Sequence, residues 1–197
     1  MWEERFATED YVYGKAPSQF LMRHAEFLAP GARALSVADG EGRNSVFMAE
    51  RGLRVDALEF APSAIAKAQR LAAERDVGVT SIRADVLEYD WADAAYDLVA
   101  GIFIQFVGPA ERARMFQGMA RTLRPGGLLM LHGYRPEQVG YGTGGPPDAD
   151  NMYTEDLLRG AFPGWAVSVC DSYDAVLNEG AGHAGASALI DFIARKP

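Results

Sequence analysis

The sequence predicts an α/β fold: a seven-stranded, mostly parallel sheet with helices on both faces. Short apolar runs alternate with helical patterns over most of the chain, which is typical of βαβ units and a parallel sheet. The chain then closes with two β runs, "WAVSVCDSYDAVL" and "SALIDFIAR", joined by "NEGAGHAGA", which predict an antiparallel hairpin. A length of 197 residues suits one domain of this kind with a substantial core.

The first elements alternate helix and strand. Pro17 opens a predicted helix, "PSQFLMRHAEFLA", which ends before Pro30. The first strand is "RALSVA", and a helix follows from about Arg43 to Glu50, where Gly52 stops it. The second strand is "RVDALEF". The two strands and the helix between them predict the first βαβ unit.

The middle of the chain repeats the pattern. Pro62 opens the helix "PSAIAKAQRLAAERD", with Ile65, Ala68, Leu71 and Ala72 on one face. "VTSIRA" and "YDLVAGIF" are the third and fourth strands. With one further helix and a fifth strand, which follow along the chain, the pattern gives five βα steps.

The last third contains one long loop. A helix from about Pro109 to Leu123 ends at "RPGG", and "LLMLHGY" is the fifth strand. The loop "RPEQVGYGTGGPPDADNMY" follows; loops of this length in a compact domain are usually functional. Thr154 then caps a helix, with Glu155 and Asp156 in its first turn.

Composition and charge exclude several classes of function. The chain is 49% hydrophobic and 23% charged, and its net charge of −8 argues against a nucleic-acid partner. The single cysteine, Cys170, excludes internal disulfides and cysteine-rich zinc sites, and three scattered histidines predict no metal site. No signal peptide is visible, and the longest apolar stretch, "LVAGIFIQFVG", is too short for a membrane span. We expect a cytoplasmic protein.

The turn after the first strand, "ADGEGRN", predicts a nucleotide site, because ligands of doubly wound sheets bind at the carboxyl ends of the strands. Gly40 and Gly42 allow a tight turn and close backbone approach. Glu59 ends the second strand, where an acid binds a ribose diol in such folds. Asp85 ends the third strand, where a carboxylate can accept a hydrogen bond from an adenine amino group.

The charge of this loop favours one cofactor over another. A dinucleotide would bring its pyrophosphate against Asp39 and Glu41, and Ser45 stands at the last glycine position of its motif. S-adenosyl-L-methionine has no phosphate and carries a sulfonium and an ammonium group, so nearby carboxylates would favour it. An NAD-binding oxidoreductase and a non-catalytic S-adenosylmethionine-binding sensor remain the alternatives.

Taken together, these segments resemble the class I S-adenosylmethionine-dependent methyltransferases over roughly residues 33–134. The resemblance implies a Rossmann-like sheet in the order 3-2-1-4-5-7-6 with the last strand antiparallel. It implies that "YDLVAGIF" is the fourth motif and "LRPGG" the turn into strand five. This chain departs from the first motif at Ser36, where an acid is common, and at Ala38, where a glycine is common; an alanine is tolerable there if its φ is negative. The implied cofactor-binding residues are Tyr13, Ala38, Asp39, Gly40, Glu41, Gly42, Asn44, Glu59, Phe60, Asp85, Val86 and Ile102.

A weaker resemblance, to the small bacterial tellurite-resistance and thiopurine methyltransferase-like group, involves the aromatic start, "GRN" and "GYGTGGP". In that group an N-terminal aromatic segment covers the cofactor, which makes Tyr11, Tyr13 and Phe20 candidates here. We therefore divide one domain, 1–197, into a cap segment (1–30), a cofactor-binding core (33–134), a substrate-side loop (135–153) and a closing helix and hairpin (154–197).

The methyl acceptor is expected to be a small molecule. "GIFIQF" stands where many amine and base methyltransferases have Asp/Asn-Pro-Pro-aromatic, which disfavours methylation of nucleic-acid adenine or protein glutamine. The leading candidates are a thiol and a metalloid oxyanion, since a thiolate or an oxyanion needs no general base. His132 is a possible base or a hydrogen-bonded structural histidine, while His24 and His183 are expected to be structural or solvated. A monomer or a homodimer is expected. The weak candidates for the acceptor site are Gln105, His132, Tyr134, Arg135 and Tyr141.

Overall fold

The structure, a computed structural model, describes residues 2–180 and 182–197. Ala181, in the predicted hairpin turn, lies outside the described residues. The strands form a seven-stranded sheet in the order β3-β2-β1-β4-β5-β7-β6, so the predicted fold class and strand order are confirmed. The strands are β1 (Arg33–Val37), β2 (Arg54–Glu59), β3 (Val79–Arg83), β4 (Tyr96–Ile102), β5 (Leu123–Tyr134), β6 (Ala166–Asn178) and β7 (Ala184–Arg195). The helices are α1 (Trp2–Phe6), α2 (Gln19–Arg23), α3 (Arg43–Glu50), α4 (Pro62–Glu74), α5 (Pro109–Thr122) and α6 (Glu155–Ala161).

Two compact units divide the chain. The first comprises Met1–Tyr89 with Glu179–Gly182, and the second comprises Asp90–Asn178 with His183–Pro197. No helix among the described residues is long and apolar enough to cross a membrane.

The first unit contains three parallel strands, in which β1 pairs with β2 and β2 with β3. The apolar stripe of α4 explains its packing, because Leu71 and Ala72 are buried together with Val46 of α3. Phe6 of α1 is buried against Ala61 and contributes a second small cluster. The buried faces of α3 and α4 therefore pack against each other, with Val79 of β3 beside them.

The second unit contains the antiparallel part of the sheet. β4 pairs in parallel with β5, β5 pairs antiparallel with β7, and β7 pairs antiparallel with β6. Tyr134, Met152, Leu177 and Leu189 form a buried cluster at the end of β5. This cluster places the end of β5 beside the hairpin strands.

Two predicted elements differ from the structure. The helix predicted from Pro17 is the short α2 followed by a 3₁₀ turn, Ala25–Phe27. It begins two residues later because the Ser18 hydroxyl accepts the Leu21 amide, and it ends at Arg23 because His24, with a φ of −112° and a ψ of 28°, leaves the α-helical conformation. The "RPGG" segment belongs to β5 and does not precede it. The Gly126 amide donates to Lys196 O and the Lys196 amide donates to Gly127 O, so this segment is already paired.

The predicted substrate-side loop contains two short 3₁₀ helices, Pro136–Gly140 and Ala149–Asn151. The glycine-rich part lies between them. Thr154 caps α6 as predicted, with its hydroxyl accepting the Leu157 amide at 3.2 Å.

Candidate active site

The turn between β1 and α3 contains three residues with positive φ: Ala38 (49°), Gly40 (63°) and Gly42 (89°). A Cβ at Gly42 would lie 2.6 Å from the Ala68 Cβ, so this glycine permits the close approach to α4. Ala38 does not have the negative φ that would make it unstrained. The loop therefore carries backbone strain at the position where glycine was expected.

Asp39 is buried and bonded inside this loop. Its Oδ1 accepts the Ser36 hydroxyl at 2.6 Å and the Ser45 amide at 3.2 Å, and its Oδ2 accepts the Ser45 hydroxyl at 2.5 Å. Burial raises the pKa of Asp39 to about 6, although the bonds from both serines oppose the shift. Ser36, the departure from the common motif, thus supports a carboxyl group three residues further on.

Glu41 anchors the N-terminal segment. It is buried, forms an ion pair with Lys67 Nζ at 2.8 Å, and accepts the amides of Val12 at 3.1 Å and Tyr13 at 3.2 Å. Lys67 Nζ also donates to the carbonyl of Asp10 at 2.6 Å. Protein groups therefore bind both carboxyls, and a contact of Asp39 or Glu41 with a cofactor stays a prediction.

A second buried acid, Glu179, binds the N-terminal segment further along the chain. Glu179 Oε1 accepts the Gln19 amide at 2.8 Å, and its carboxylate pairs with Arg43 Nη1 at 2.8 Å, with both side chains buried. Asn44 Oδ1 accepts the Ser18 amide at 3.0 Å. Residues of α3 and its flanking loop thus hold residues 12–19.

The predicted cap aromatics have different environments. The Tyr11 hydroxyl donates to the Lys67 carbonyl at 2.9 Å, and Phe20 is fully buried. Tyr13 packs edge-on against Phe6 with 6.2 Å between ring centroids, and burial raises its pKa. Tyr11 and Phe20 thus have structural contacts, and a cofactor contact by any of the three stays a prediction.

Glu59 connects the end of β2 to the glycine turn. Its Oε2 accepts the Gly40 amide at 2.8 Å, while its Oε1 accepts the amides of Phe60 and Ala61, each at 2.8 Å. A carboxylate offers about four acceptor positions, so these three bonds leave capacity for a ligand hydroxyl. The Phe60 ring beside it is 55% exposed, as a surface for stacking requires.

These contacts fit S-adenosylmethionine better than a dinucleotide. The Gly40 amide, which would bind a pyrophosphate, already binds a carboxylate, and an anion placed there would also face the Glu59 charge. After β3, Asp85 is exposed and its Oδ1 accepts the Leu87 amide at 2.9 Å, while Val86 is buried. A cationic ligand without phosphate suits this set of groups.

In the second unit, His132 belongs to a buried polar network. Its Nδ1 lies 2.7 Å from Asp191 Oδ1, and the Tyr173 hydroxyl donates to the same oxygen at 2.9 Å. His132 and Asp191 are each 1% exposed and are direct partners in the β5–β7 register. The three groups are held together by the geometry of the hairpin.

Tyr134 belongs to a neighbouring pair. Its hydroxyl lies 2.6 Å from His183 Nδ1. Gln105 holds the Tyr134 backbone at both ends, with Oε1 accepting the amide at 2.6 Å and Nε2 donating to the carbonyl at 2.8 Å. Gln105 thus serves as a clamp on β5. Ile102 is the last residue of β4 in this unit and is half-buried.

Arg135 and Tyr141 converge on one acid. Arg135 Nη2 lies 2.5 Å from Asp174 Oδ1, and the Tyr141 hydroxyl donates to Asp174 Oδ2 at 2.8 Å. Tyr141 is 39% exposed. These contacts tie the substrate-side loop to β6.

Sequence reasoning missed two residues that surround His132: Tyr173 and Asp191. His183, expected to be structural or solvated, has a structural environment: its ring is buried, hydrogen-bonded to Tyr134 and stacked on Phe103. Asp191 had a detectable signal, since one acid inside the apolar run "SALIDFIAR" is a buried charge that needs a partner.

Comparisons with known proteins agree with this geometry. Residues 34–127 match a family model described as a methyltransferase domain. Demethylmenaquinone methyltransferase from Thermus thermophilus is 33% identical over 110 residues, which are 55% of this chain and 50% of that protein. The chain spans about half the length of the curated relatives it matches.

Two solved structures share the fold. N-methyltransferase NodS from Bradyrhizobium japonicum, in complex with S-adenosyl-L-homocysteine, gives a TM-score of 0.72 at 16% identity and covers 100% of this chain and 96% of that one. TehB from Haemophilus influenzae gives a TM-score of 0.74 at 15% identity and covers 100% of this chain and 66% of that one.

Residues 34–127 match the methyltransferase-domain model, and the sheet has the strand order expected for the class I S-adenosylmethionine-dependent methyltransferases. The predicted methyltransferase activity and its cofactor, S-adenosyl-L-methionine, agree with these matches. Likeness to TehB at 15% identity concerns the fold, so the narrower resemblance to the tellurite-resistance group stays a prediction.

Proposed function

We propose that the protein transfers a methyl group from S-adenosyl-L-methionine to a small-molecule acceptor. The observation that carries this proposal is the bond between the Gly40 amide and the Glu59 carboxylate, beside the exposed Phe60 ring. This arrangement leaves carboxylate capacity for a ribose hydroxyl and opposes a pyrophosphate. The cofactor supplies, when bound, a methyl group on a positively charged sulfur.

The first unit would hold the cofactor through residues of three strand ends. We assign the ribose to Glu59, the adenine to Phe60, Asp85 and Val86, and the amino-acid part to the glycine turn. Asp39 and Glu41 act indirectly, because Asp39 braces the turn and Glu41 fixes the N-terminal segment. The remaining candidate contacts of this unit are Tyr13, Ala38, Gly40, Gly42 and Asn44. The last sequence-based candidate, Ile102, belongs to the second unit.

The candidate acceptor groups all lie in the second unit, at or after the ends of β4 and β5: Gln105, His132, Tyr134, Arg135 and Tyr141. Thiols and metalloid oxyanions are the sequence-based candidates, since a thiolate or a metalloid oxyanion needs no general base and the chain lacks the amine-type motif after β4. Phenols and amines are the acceptors for which a general base would matter most.

A labelled-methyl transfer screen over thiols, selenite, tellurite, phenols and amines tests the proposal. Transfer to at least one acceptor is expected. Thermal shift provides the second arm: S-adenosylhomocysteine should raise the melting temperature and NADH should not. Stabilisation by NADH alone would contradict the proposal, and tight binding of S-adenosylhomocysteine without any transfer would indicate a binding module instead.

A further inference from the structure

We infer that Asp39 makes the glycine turn selective for the charge of its ligand, and that its charge strengthens the binding of S-adenosyl-L-methionine relative to that of S-adenosyl-L-homocysteine, in which the sulfur is neutral. This inference rests on the proposed function and adds a specificity-determining residue to it. It requires no contact between Asp39 and the cofactor, because a charge acts at a distance through the turn that carries it.

The buried acids of the first unit are of two kinds. Among the described residues, this unit buries four acids: Asp39, Glu41, Glu59 and Glu179. Glu41 forms an ion pair with Lys67 at 2.8 Å, and Glu179 forms one with Arg43 at 2.8 Å. The charges of Glu41 and Glu179 are therefore balanced within the protein.

Asp39 and Glu59 have only uncharged donors as partners. Asp39 accepts hydrogen bonds from Ser36 and Ser45, and Glu59 accepts them from three backbone amides. In the part of the chain that the structure describes, no lysine, arginine or histidine bonds to either acid. Two buried carboxyl groups without a counter-ion therefore belong to the glycine turn and to the strand end beside it.

These two carboxyl groups also repel each other. The amide that bonds to Glu59 is that of Gly40, the residue directly after Asp39. Burial, with a smaller contribution from the Glu59 charge, raises the pKa of Asp39 to about 6. Asp39 is therefore mostly ionised at about pH 7. A cationic ligand would reduce this repulsion, and a neutral one would not.

The covalent structure of the cofactor brings its positive charge to this part of the unit. The sulfonium group joins the adenosine to the amino-acid part, and the proposed function assigns the ribose to Glu59 and the amino-acid part to the glycine turn. The charged sulfur therefore belongs between these two groups. S-adenosyl-L-homocysteine keeps the ribose, the ammonium and the carboxylate groups and lacks only the methyl group and the sulfonium charge.

Calorimetric titration of the full chain with each of the two ligands at about pH 7, without an acceptor, tests the inference. Asp39→Asn removes the charge and keeps the size of the side chain. It should weaken S-adenosyl-L-methionine binding by about tenfold and S-adenosyl-L-homocysteine binding by less than about threefold. The ratio of the two dissociation constants is decisive, because a purely structural effect on the turn would weaken both ligands alike.

Asp76→Asn, which removes an exposed acid of the first unit, is the matched control and should leave both affinities unchanged. Glu59 is unsuitable for this comparison, because the proposed function assigns it to the ribose that both ligands carry.

A measurement on the wild type alone serves if Asp39→Asn fails to fold by circular dichroism. The charged group that faces Asp39 is Glu59 of β2, while Glu41 in the same turn is paired with Lys67 of α4. Because the pKa of Asp39 in the folded protein is about 6, its charge is lost as the pH falls from about 7 to about 5. The ratio of the two dissociation constants should then shift towards S-adenosyl-L-homocysteine, since the ligand ammonium groups stay mostly protonated in this range.

Two results would overturn the inference while the proposed cofactor site stood. One is equal weakening, or no weakening, of both ligands in Asp39→Asn. The other is a wild-type ratio of dissociation constants that stays constant between about pH 5 and about pH 7. Failure of the wild type to bind either ligand would instead overturn the proposed function, and the inference with it.

Discussion

At the level of single residues, the Asp39 carboxyl determines how the glycine turn responds to pH. It is buried among Ser36, Ser45 and the Glu59 charge, and burial raises its pKa from the ordinary 3.8 to about 6. The folded protein therefore binds a proton more tightly than the unfolded chain between these values. The resulting stabilisation is complete below about pH 4 and is lost as the pH rises through about 6.

Replacement of Asp39 by asparagine should remove this dependence. From about pH 4 to about pH 7, wild-type unfolding free energy should fall by about 3 kcal/mol relative to the variant. Urea unfolding at several pH values measures it, with the exposed Asp90→Asn as control. Parallel curves for wild type and Asp39→Asn would show that Asp39 is not the titrating group.

Ala38 provides a second residue-level prediction, because its φ of 49° suits glycine better than alanine. A left-handed alanine costs about 1–2 kcal/mol, and the entropy of an added glycine offsets about 0.5–1 of this. Ala38→Gly should therefore leave the unfolding free energy unchanged or slightly higher. Ala66→Gly, in the exposed middle of α4, should lower it by about 1 kcal/mol. Equal losses in the two variants would contradict the strain at Ala38.

At the level of elements, the buried Glu41–Lys67 pair attaches the N-terminal segment to α4 and to the glycine turn. Their side chains are 1% and 3% exposed, so removal of one partner leaves an uncompensated buried charge. Lys67→Met should lower the unfolding free energy by about 3–5 kcal/mol. Limited proteolysis should then cut within residues 8–13 first, since these lose their anchor.

The matched control is Lys15→Met, which removes the Lys15–Glu74 pair; those side chains are 42% and 51% exposed. This change should have no measurable effect on unfolding. The double variant Glu41→Gln with Lys67→Met should recover part of the loss, because no charge stays buried. Equal effects of the Lys67 and Lys15 substitutions would mean that the buried pair does not anchor the segment.

The elements that local patterns define well were predictable. Proline-opened helices α4 and α5 and the strands β1 to β4 begin where periodicity and breakers place them. The start of β5 could not be predicted, because "RPGG" on its own is typical of a turn. The segment is part of the strand because its backbone bonds to Lys196, about seventy residues away. The helix after Pro17 was overpredicted because the Ser18 hydroxyl caps it at residue 19 and His24 leaves the helical conformation after Arg23.

Only part of the candidate site could be predicted, because contacts between residues distant in the chain are not visible in the sequence. Strand ends such as Glu59 and Asp85 follow from sequence order alone. The partners of Asp39, Glu41 and His132 depend on which side chains tertiary packing brings close. His132 and Asp191, for example, are 59 residues apart in the chain and meet through the β5–β7 register.

At the level of the whole molecule, each unit carries its own buried charge network. In the first unit, the carboxyl groups of Asp39, Glu41 and Glu59 bind protein groups around the glycine turn. Of these three acids, Glu59 is the one that ends a strand. In the second, His132 and Asp191 are joined to aromatic neighbours. Glu59 is therefore the residue on which the proposed cofactor binding depends most.

The most direct test of the central claim is calorimetric titration with S-adenosylhomocysteine of three proteins: wild type, Glu59→Gln and the exposed-acid control Glu26→Gln. The wild type and the control should bind equally, and Glu59→Gln should lose about 1–3 kcal/mol of binding free energy through its ribose hydrogen bonds. Unchanged affinity in a folded Glu59→Gln protein, or no binding by the wild type, would contradict the account.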